Sequence, residues 1–88
     1  MSAKAFVLIE AEVGKSHGVV AALKEFEGVK SANSVTGLYD VIAVVEGGRL
    51  DEIGNIVTGK IQHVPGVSRI VTCLATGILF LLSWEGRR

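Results

Sequence analysis

The chain has 88 residues, of which 49% are hydrophobic and 20% are charged, and its formal net charge is zero. A chain of this length forms one domain, and its small core needs a disulfide, a structural metal ion or a partner subunit to be stable. The single cysteine, Cys73, excludes an internal disulfide, and no Cys/His cluster is present to hold structural zinc. A zero net charge argues against nucleic-acid binding, which requires a basic surface. We therefore expect oligomerisation to supply the missing stability.

The chain contains no predicted membrane segment. Its longest uncharged run, residues 70–84, is shorter than the roughly 18–20 residues that a spanning helix requires, and it includes three polar side chains. The N-terminus lacks the apolar stretch and cleavage site of a signal peptide. Together with the single thiol, these features predict a cytoplasmic protein.

The first half of the chain predicts a strand, a helix and a second strand. Residues 3–13 alternate in the two-residue period typical of a strand. Residues 16–26 carry apolar side chains at helical spacing, with Ser16 as the expected N-cap and Gly28 as the stop. Residues 29–35 predict a second strand, which polar side chains weaken.

The second half predicts a strand, a helix and a last strand. Residues 39–46 form a nearly continuous apolar run, which indicates a strand covered on both faces. Residues 49–63 show helical spacing. Gly54 and Gly59 inside this helix favour a close approach to the sheet or to a neighbour. A Pro-Gly turn then precedes a fourth strand over residues 67–76.

This order of elements predicts an α+β fold. Each helix ends in Gly-Val before a strand, so two similar βαβ units indicate a ferredoxin-like βαββαβ sandwich, a four-stranded antiparallel sheet with two helices on one face. A second subunit would cover the other face. We expect residues 1–79 to form this domain and residues 80–88 to form an apolar C-terminal extension. The apolar tail from residue 77 onward either extends a strand, packs on a partner or forms a last core strand of the same subunit.

Isolated motifs do not indicate catalysis. Gly14-Lys15-Ser16 matches the end of a phosphate loop, but Ile9 occupies the position of the first glycine of that motif. His17 and His63 lack the further ligands of a metal site. Cys73 has no activating group near it in sequence, so we expect a small buried hydrophobe there. The sequence therefore predicts no catalytic residue, no metal ligand and no cofactor.

Two turns, in their order and spacing, carry a resemblance to a known family. Gly37-Leu38-Tyr39-Asp40 precedes an apolar strand, and Val64-Pro65-Gly66-Val67 precedes a strand that contains Arg69 and Thr72-Cys73. This pattern, over about residues 5–79, resembles the effector-binding domain of the Lrp/AsnC transcriptional regulators. Family members carry an N-terminal helix-turn-helix, so the chain resembles the stand-alone form. Arg49 and the apolar stretch after residue 79 depart from the family pattern.

The resemblance implies an assembly and a ligand site. It implies a homodimer formed through the sheets, a ring that is often an octamer or decamer, and a small effector, usually an amino acid, between dimers. The implied ligand-binding residues are Gly37, Leu38, Tyr39 and Asp40, with Thr72 as a weaker member. Glycine lets backbone amides approach a carboxylate, aspartate can hold an ammonium, and tyrosine can wall the cleft.

Three functional hypotheses follow. The leading one is an amino-acid-binding and oligomerisation module without a DNA-binding domain, which modulates transcription by co-assembly with a full-length Lrp/AsnC regulator. Such a module contacts neither nucleic acid nor membrane directly. The second is a purely structural oligomer subunit. The third is a small dimeric ferredoxin-like enzyme, for which the strands offer little besides Asn33 as a polar group over the sheet.

Overall fold

A computed structural model describes residues 3–75 of the chain, so the predicted extension over residues 80–88 lies outside the described residues. The elements, in chain order, are β1 (Ala3–Ala11), α1 (Ser16–Lys24), β2 (Val29–Ser34), β3 (Val41–Gly47), α2 (Leu50–Gly59), a 3₁₀ turn (Ile61–His63) and β4 (Val67–Leu74). The predicted order and the predicted fold class are confirmed. Within residues 3–75, no helix is long and apolar enough to cross a membrane.

The four strands form one antiparallel sheet with the order β2-β3-β1-β4. One face of the sheet packs against the helices, because alternate residues of β1 and β3 are apolar and fully buried on that side. Val19 and Leu23 of α1 and Ile53 of α2 close the core over these rows. The buried rows of the two strands are Ala5, Val7 and Ile9 in β1 and Val41, Ala43 and Val45 in β3.

The opposite face of the sheet has no helix over it within residues 3–75. We call it the open face, and it consists of Phe6, Leu8, Ile42, Val44, Val71 and Cys73, which the strand register places side by side. Phe6 is 39% exposed, although it sits in the centre of a strand. Two predictions are therefore wrong for residues 3–75: within this part of the chain, β3 is covered on one face only, and Cys73 is exposed rather than buried.

The helix ends also differ from the prediction. Lys15, not Ser16, is the N-cap of α1, and its side chain makes no capping bond. Ser16 is instead the first helical residue. The second helix ends at Gly59, and the separate 3₁₀ turn places Ile61 in the core. Among the described residues, no atom lies within 4 Å of a Cβ built on Gly54 or Gly59, so these glycines mark no close approach to the sheet.

A close approach between the sheet and α2 does occur at Gly28, the residue just before β2. Its φ is +97°, a conformation that favours glycine. A Cβ at this position would lie 2.5 Å from Cδ1 of Ile56 and 3.3 Å from the carbonyl oxygen of Glu46. Gly28 thus lets the β2 end of the sheet lie against α2.

We expect Gly28→Ala to lower the free energy of unfolding by about 1–3 kcal/mol, because it combines an unfavourable φ with a steric contact. Gly54→Ala is the control, because it adds a methyl group to an exposed helical position with open space around it. This control should raise the free energy of unfolding by up to about 1 kcal/mol. Urea unfolding of the two variants checks the prediction, and equal effects would contradict it.

Candidate functional site

The predicted ligand-binding turn, Gly37–Asp40, joins β2 to β3 and lies against the end of β1. The backbone N–H of Asp40 donates to the carbonyl of Ile9 at 2.9 Å, and the N–H of Val35 donates to the carbonyl of Asp40 at 2.9 Å. Oδ2 of the Asp40 side chain accepts from the backbone N–H of Ala11 at 2.8 Å. The turn is therefore held by the central strand through both main-chain and side-chain bonds.

The Asp40 carboxylate is only partly used by this anchor. Within residues 3–75, the ion pairs join Arg49 to Asp51 and Arg69 to Glu10, and neither includes Asp40. The second oxygen, Oδ1, accepts no hydrogen bond from the part of the chain that the structure describes. The half-buried carboxylate thus combines a structural bond with one oxygen that can still receive a donor.

The three residues before Asp40 form the rim of the turn. Gly37 has a φ of +156°, and no atom of residues 3–75 lies within 4 Å of a Cβ built there, so this part of the chain leaves its backbone accessible. Leu38 is 92% exposed and offers apolar surface at the tip. Tyr39 is half-buried. The rim therefore presents accessible backbone, an apolar side chain and an aromatic ring beside the Asp40 carboxylate.

Thr72 lies on a different part of the molecule. It pairs with Val7 on the β4 side of β1, whereas Asp40 bonds to Ile9 on the β3 side. Two strand spacings of about 4.8 Å separate β3 from β4, so the Thr72 and Asp40 backbones are about 10 Å or more apart. The sheet of one copy therefore places Thr72 and the turn on opposite sides of β1.

Thr72 instead lines a groove of about 490 Å³ between β4 and the end of α2. We call it the β4 groove. Sequence reasoning did not find it, because its walls come from separate elements that only the topology brings together. The lining residues are Val57, Thr58, Gln62, Val67, Ser68, Arg69, Ile70 and Thr72.

A second groove, of about 460 Å³, lies at the start of α2 and includes three glutamates and Lys60. One of these acids, Glu52, caps the helix: its Oε1 accepts from the backbone N–H of Gly48 at 2.5 Å and of Arg49 at 3.2 Å. A glutamate three residues after the cap is the sequence signal for this role. Within residues 3–75, no three His, Cys, Asp or Glu side chains come together to hold a metal ion.

The protein is a ferredoxin-like α+β domain, and comparison with protein-family models identifies its family. The family model described as the Lrp/AsnC ligand binding domain matches residues 4–80. The chain therefore belongs to the Lrp/AsnC ligand-binding-domain family, and the resemblance is confirmed. No significant match is found among curated protein sequences.

Solved structures agree with this assignment. The chain is similar to the hypothetical protein PHS023 from Pyrococcus horikoshii, with 33% identity, a TM-score of 0.79, and coverage of 85% of this chain and 89% of that one. It is also similar to TTHA0845 from Thermus thermophilus, with 36% identity, a TM-score of 0.79, and coverage of 83% and 91%. Both likenesses extend over most of each chain.

A more distant structure contains a bound amino acid. It is the transcriptional regulator NMB0573 from Neisseria meningitidis in complex with L-Met, with a TM-score of 0.73 and 15% identity. The match covers 83% of this chain and 49% of that one. At this identity the likeness shows a shared fold.

We expect Asp40→Ala to lower the free energy of unfolding by about 1–2 kcal/mol, because it leaves the partly buried N–H of Ala11 without its acceptor. Asp40→Asn keeps a side-chain oxygen that can accept this bond, so its cost should be clearly smaller. Urea unfolding measures both variants. A cost for Asp40→Asn as large as that for Asp40→Ala would show that the charge, and not the hydrogen bond, anchors the turn.

Proposed function

We propose that the chain is a small-molecule-binding and oligomerisation module whose effector is an amino acid, and that it modulates transcription by co-assembly with a full-length Lrp/AsnC regulator. The observation that carries the ligand part is the half-buried Asp40 carboxylate, whose Oδ1 accepts no hydrogen bond from residues 3–75 and which lies three residues after the exposed Gly37 in the same turn. Membership of the ligand-binding-domain family supports this part. The complex of the Neisseria regulator with L-Met supports the choice of an amino acid.

The chemistry of the turn suits a zwitterion. Oδ1 of Asp40 accepts from the ammonium group in a charge-assisted bond, while backbone amides near Gly37 approach the carboxylate. Tyr39 and Leu38 then flank the ligand with apolar surface. Thr72 contributes its hydroxyl from a neighbouring copy, because it lies too far from the turn of its own chain.

The open face supports the assembly part. Its apolar centre is flanked by charged side chains: Arg69 and Glu10 lie 3.7 Å apart at one end, and Lys4 and Glu46 pair in the register at the other. An apolar centre with a polar rim is typical of a protein interface. A second copy related by a twofold axis would bury this face against its own. Dimers then assemble into a ring, an octamer or decamer, with effector sites between them.

A purely structural subunit is the second candidate. The same open face favours this candidate. The hydrogen bond from Ala11 to Asp40 stabilises the turn, so the turn has a structural role that requires no ligand. No observation favours an enzyme. Among residues 3–75 the core holds no buried polar or charged side chain, and Asn33 is exposed on β2 opposite Ile42.

A thermal-shift screen of the full chain against the twenty amino acids tests the ligand part. A ligand at a hundred times its dissociation constant stabilises the folded state by roughly 2.7 kcal/mol. For a domain of this size, that raises Tm by roughly 10–20 °C. We expect a selective shift with one amino acid or a few similar ones, and Asp40→Asn should abolish it.

Asp51→Asn provides the matched control, because it makes the same chemical change on the exposed first turn of α2. It should keep the shift. No shift with any amino acid would contradict the ligand part and favour the structural subunit. If Asp40→Asn kept the ligand-induced rise in Tm, the amino acid would bind somewhere other than at this turn.

Leu8→Lys tests the assembly part, because it places a charge at the centre of the open face on the central strand. We expect sedimentation velocity to show a loss of the dimer and of every larger species. Leu50→Lys is the matched control, since Leu50 is an exposed leucine on α2, away from the open face. Loss of assembly in both variants, or in neither, would contradict an interface on the open face.

A further inference from the structure

The β4 groove combines aliphatic surface with polar side chains. Val57 of α2 and Val67 and Ile70 of β4 supply the aliphatic part of its walls. The groove has a volume of about 490 Å³, and the charged side chain among its described lining residues is that of Arg69. Aliphatic walls with a few polar groups are typical of a small-molecule site, in which the polar groups determine orientation and specificity.

Two polar side chains of the groove are already used, and two are available to a ligand. The hydroxyls of Thr58 and Ser68 each donate to a backbone carbonyl of the same chain, at 2.8 and 2.9 Å. The exposed amide of Gln62 and the exposed hydroxyl of Thr72 make no hydrogen bond with any residue from 3 to 75. The groove therefore offers unused hydrogen-bond donors beside aliphatic surface.

The charge of the groove favours an acceptor on the ligand. Among residues 3–75, no acidic side chain lines the groove, and Arg69 contributes a positive charge. Glu10, which lies 3.7 Å from Arg69, is outside the lining, and an exposed pair of this length is weak. A carboxylate or carboxamide oxygen in the groove thus meets donors and a positive charge, whereas an ammonium group meets charge of its own sign.

The position of Thr72 connects the groove to the proposed effector site. In the proposed assembly, the effector lies between the Asp40 turn of one copy and Thr72 of a neighbouring copy. Because Thr72 lines the β4 groove, the groove of that neighbour opens beside the effector. The turn holds the ammonium and carboxylate groups, so the side chain is the part of the amino acid that is left to enter the groove.

We propose that the β4 groove of the neighbouring copy selects the side chain of the effector, and that this side chain is an aliphatic stem that ends in a hydrogen-bond acceptor, as in glutamine and glutamate. The stem packs on Val57, Val67 and Ile70, and the terminal oxygen accepts from the Gln62 amide. This assignment rests on the proposed function above, to which it adds the class of effector and a specificity-determining residue, Gln62.

Thermal-shift titrations of the full chain with four amino acids test the class of effector. Glutamine and glutamate carry the terminal acceptor, norleucine is an apolar side chain of similar length, and lysine ends in a cation. We expect the better of glutamine and glutamate to bind about tenfold more tightly than norleucine, because norleucine leaves the Gln62 donor without an acceptor. Lysine should bind most weakly. Binding of norleucine or lysine as tight as that of glutamine and glutamate would overturn the proposed class.

Gln62→Glu tests the role of the groove, because it replaces the donor by a negative charge at an exposed position. It should weaken glutamate binding by about tenfold or more and move the preference toward lysine. Asn55→Asp is the matched control, since it makes the same amide-to-carboxylate change at an exposed position of α2 outside the β4 groove. It should leave the preference unchanged. The Tm of each variant without ligand checks that it folds.

Gln62→Met is a second variant at the same position, which removes the donor without adding a charge. It should bring the dissociation constants of glutamine and norleucine to within about twofold of each other. An unchanged order of ligands in both Gln62 variants would overturn the groove as the specificity pocket.

Failure of this assignment can be distinguished from failure of the proposed function. If Asp40→Asn abolishes binding while the Gln62 variants keep the order of ligands, the effector binds at the turn and the groove does not select it. If no amino acid raises Tm, the ligand part of the proposed function fails, and the choice of effector fails with it.

Discussion

The pairing of β1 with two strands at once is the interaction on which the rest of the structure depends. β1 lies between β3 and β4, and its buried row is fully enclosed by the helices. The end of the same strand holds both characteristic turns: Ala11 donates to the Asp40 carboxylate, and Glu12 donates to the carbonyl of Gly66 at 2.8 Å. The position of the candidate site is therefore set by the core strand, and a change in that strand would move both turns.

The second constraint is that the two helices cover only one face of the sheet. In a chain of 88 residues with 49% hydrophobic side chains, the apolar rows of the other face have no helix of residues 3–75 to bury them. This explains why Phe6 and Cys73 are exposed in one copy although their strands are central or well paired. In the proposed assembly, this surface links fold to function, because a second copy that covered it would make sites between copies available.

The differences between the predicted and the observed helix ends and glycine contacts arise because packing between elements is not visible in the local sequence. Ser16 has the right chemistry for a cap, but the chain enters α1 one residue earlier, at Lys15. Gly54 and Gly59 look like contact points in the sequence, yet they lie on the exposed side of α2. The shortest contacts among the described glycines are at Gly28 and Gly66, where a Cβ would meet Ile56 and Lys15. Local pattern indicates which residue types are unusual, whereas the packing of separate elements determines which of them is constrained.

The amino-acid sequence by itself determined the order of the elements, the two-residue alternation of β1, and the turn that contains Asp40, because hydrophobic period and turn chemistry are local properties. It also determined the family, through the order and spacing of two turns. Only the tertiary structure decided that Asp40 bonds to Ala11, that Thr72 lies on the far side of β1, and that β4 and the end of α2 form a groove. These facts depend on strand order and register, which bring together residues distant in the chain and which no local pattern encodes.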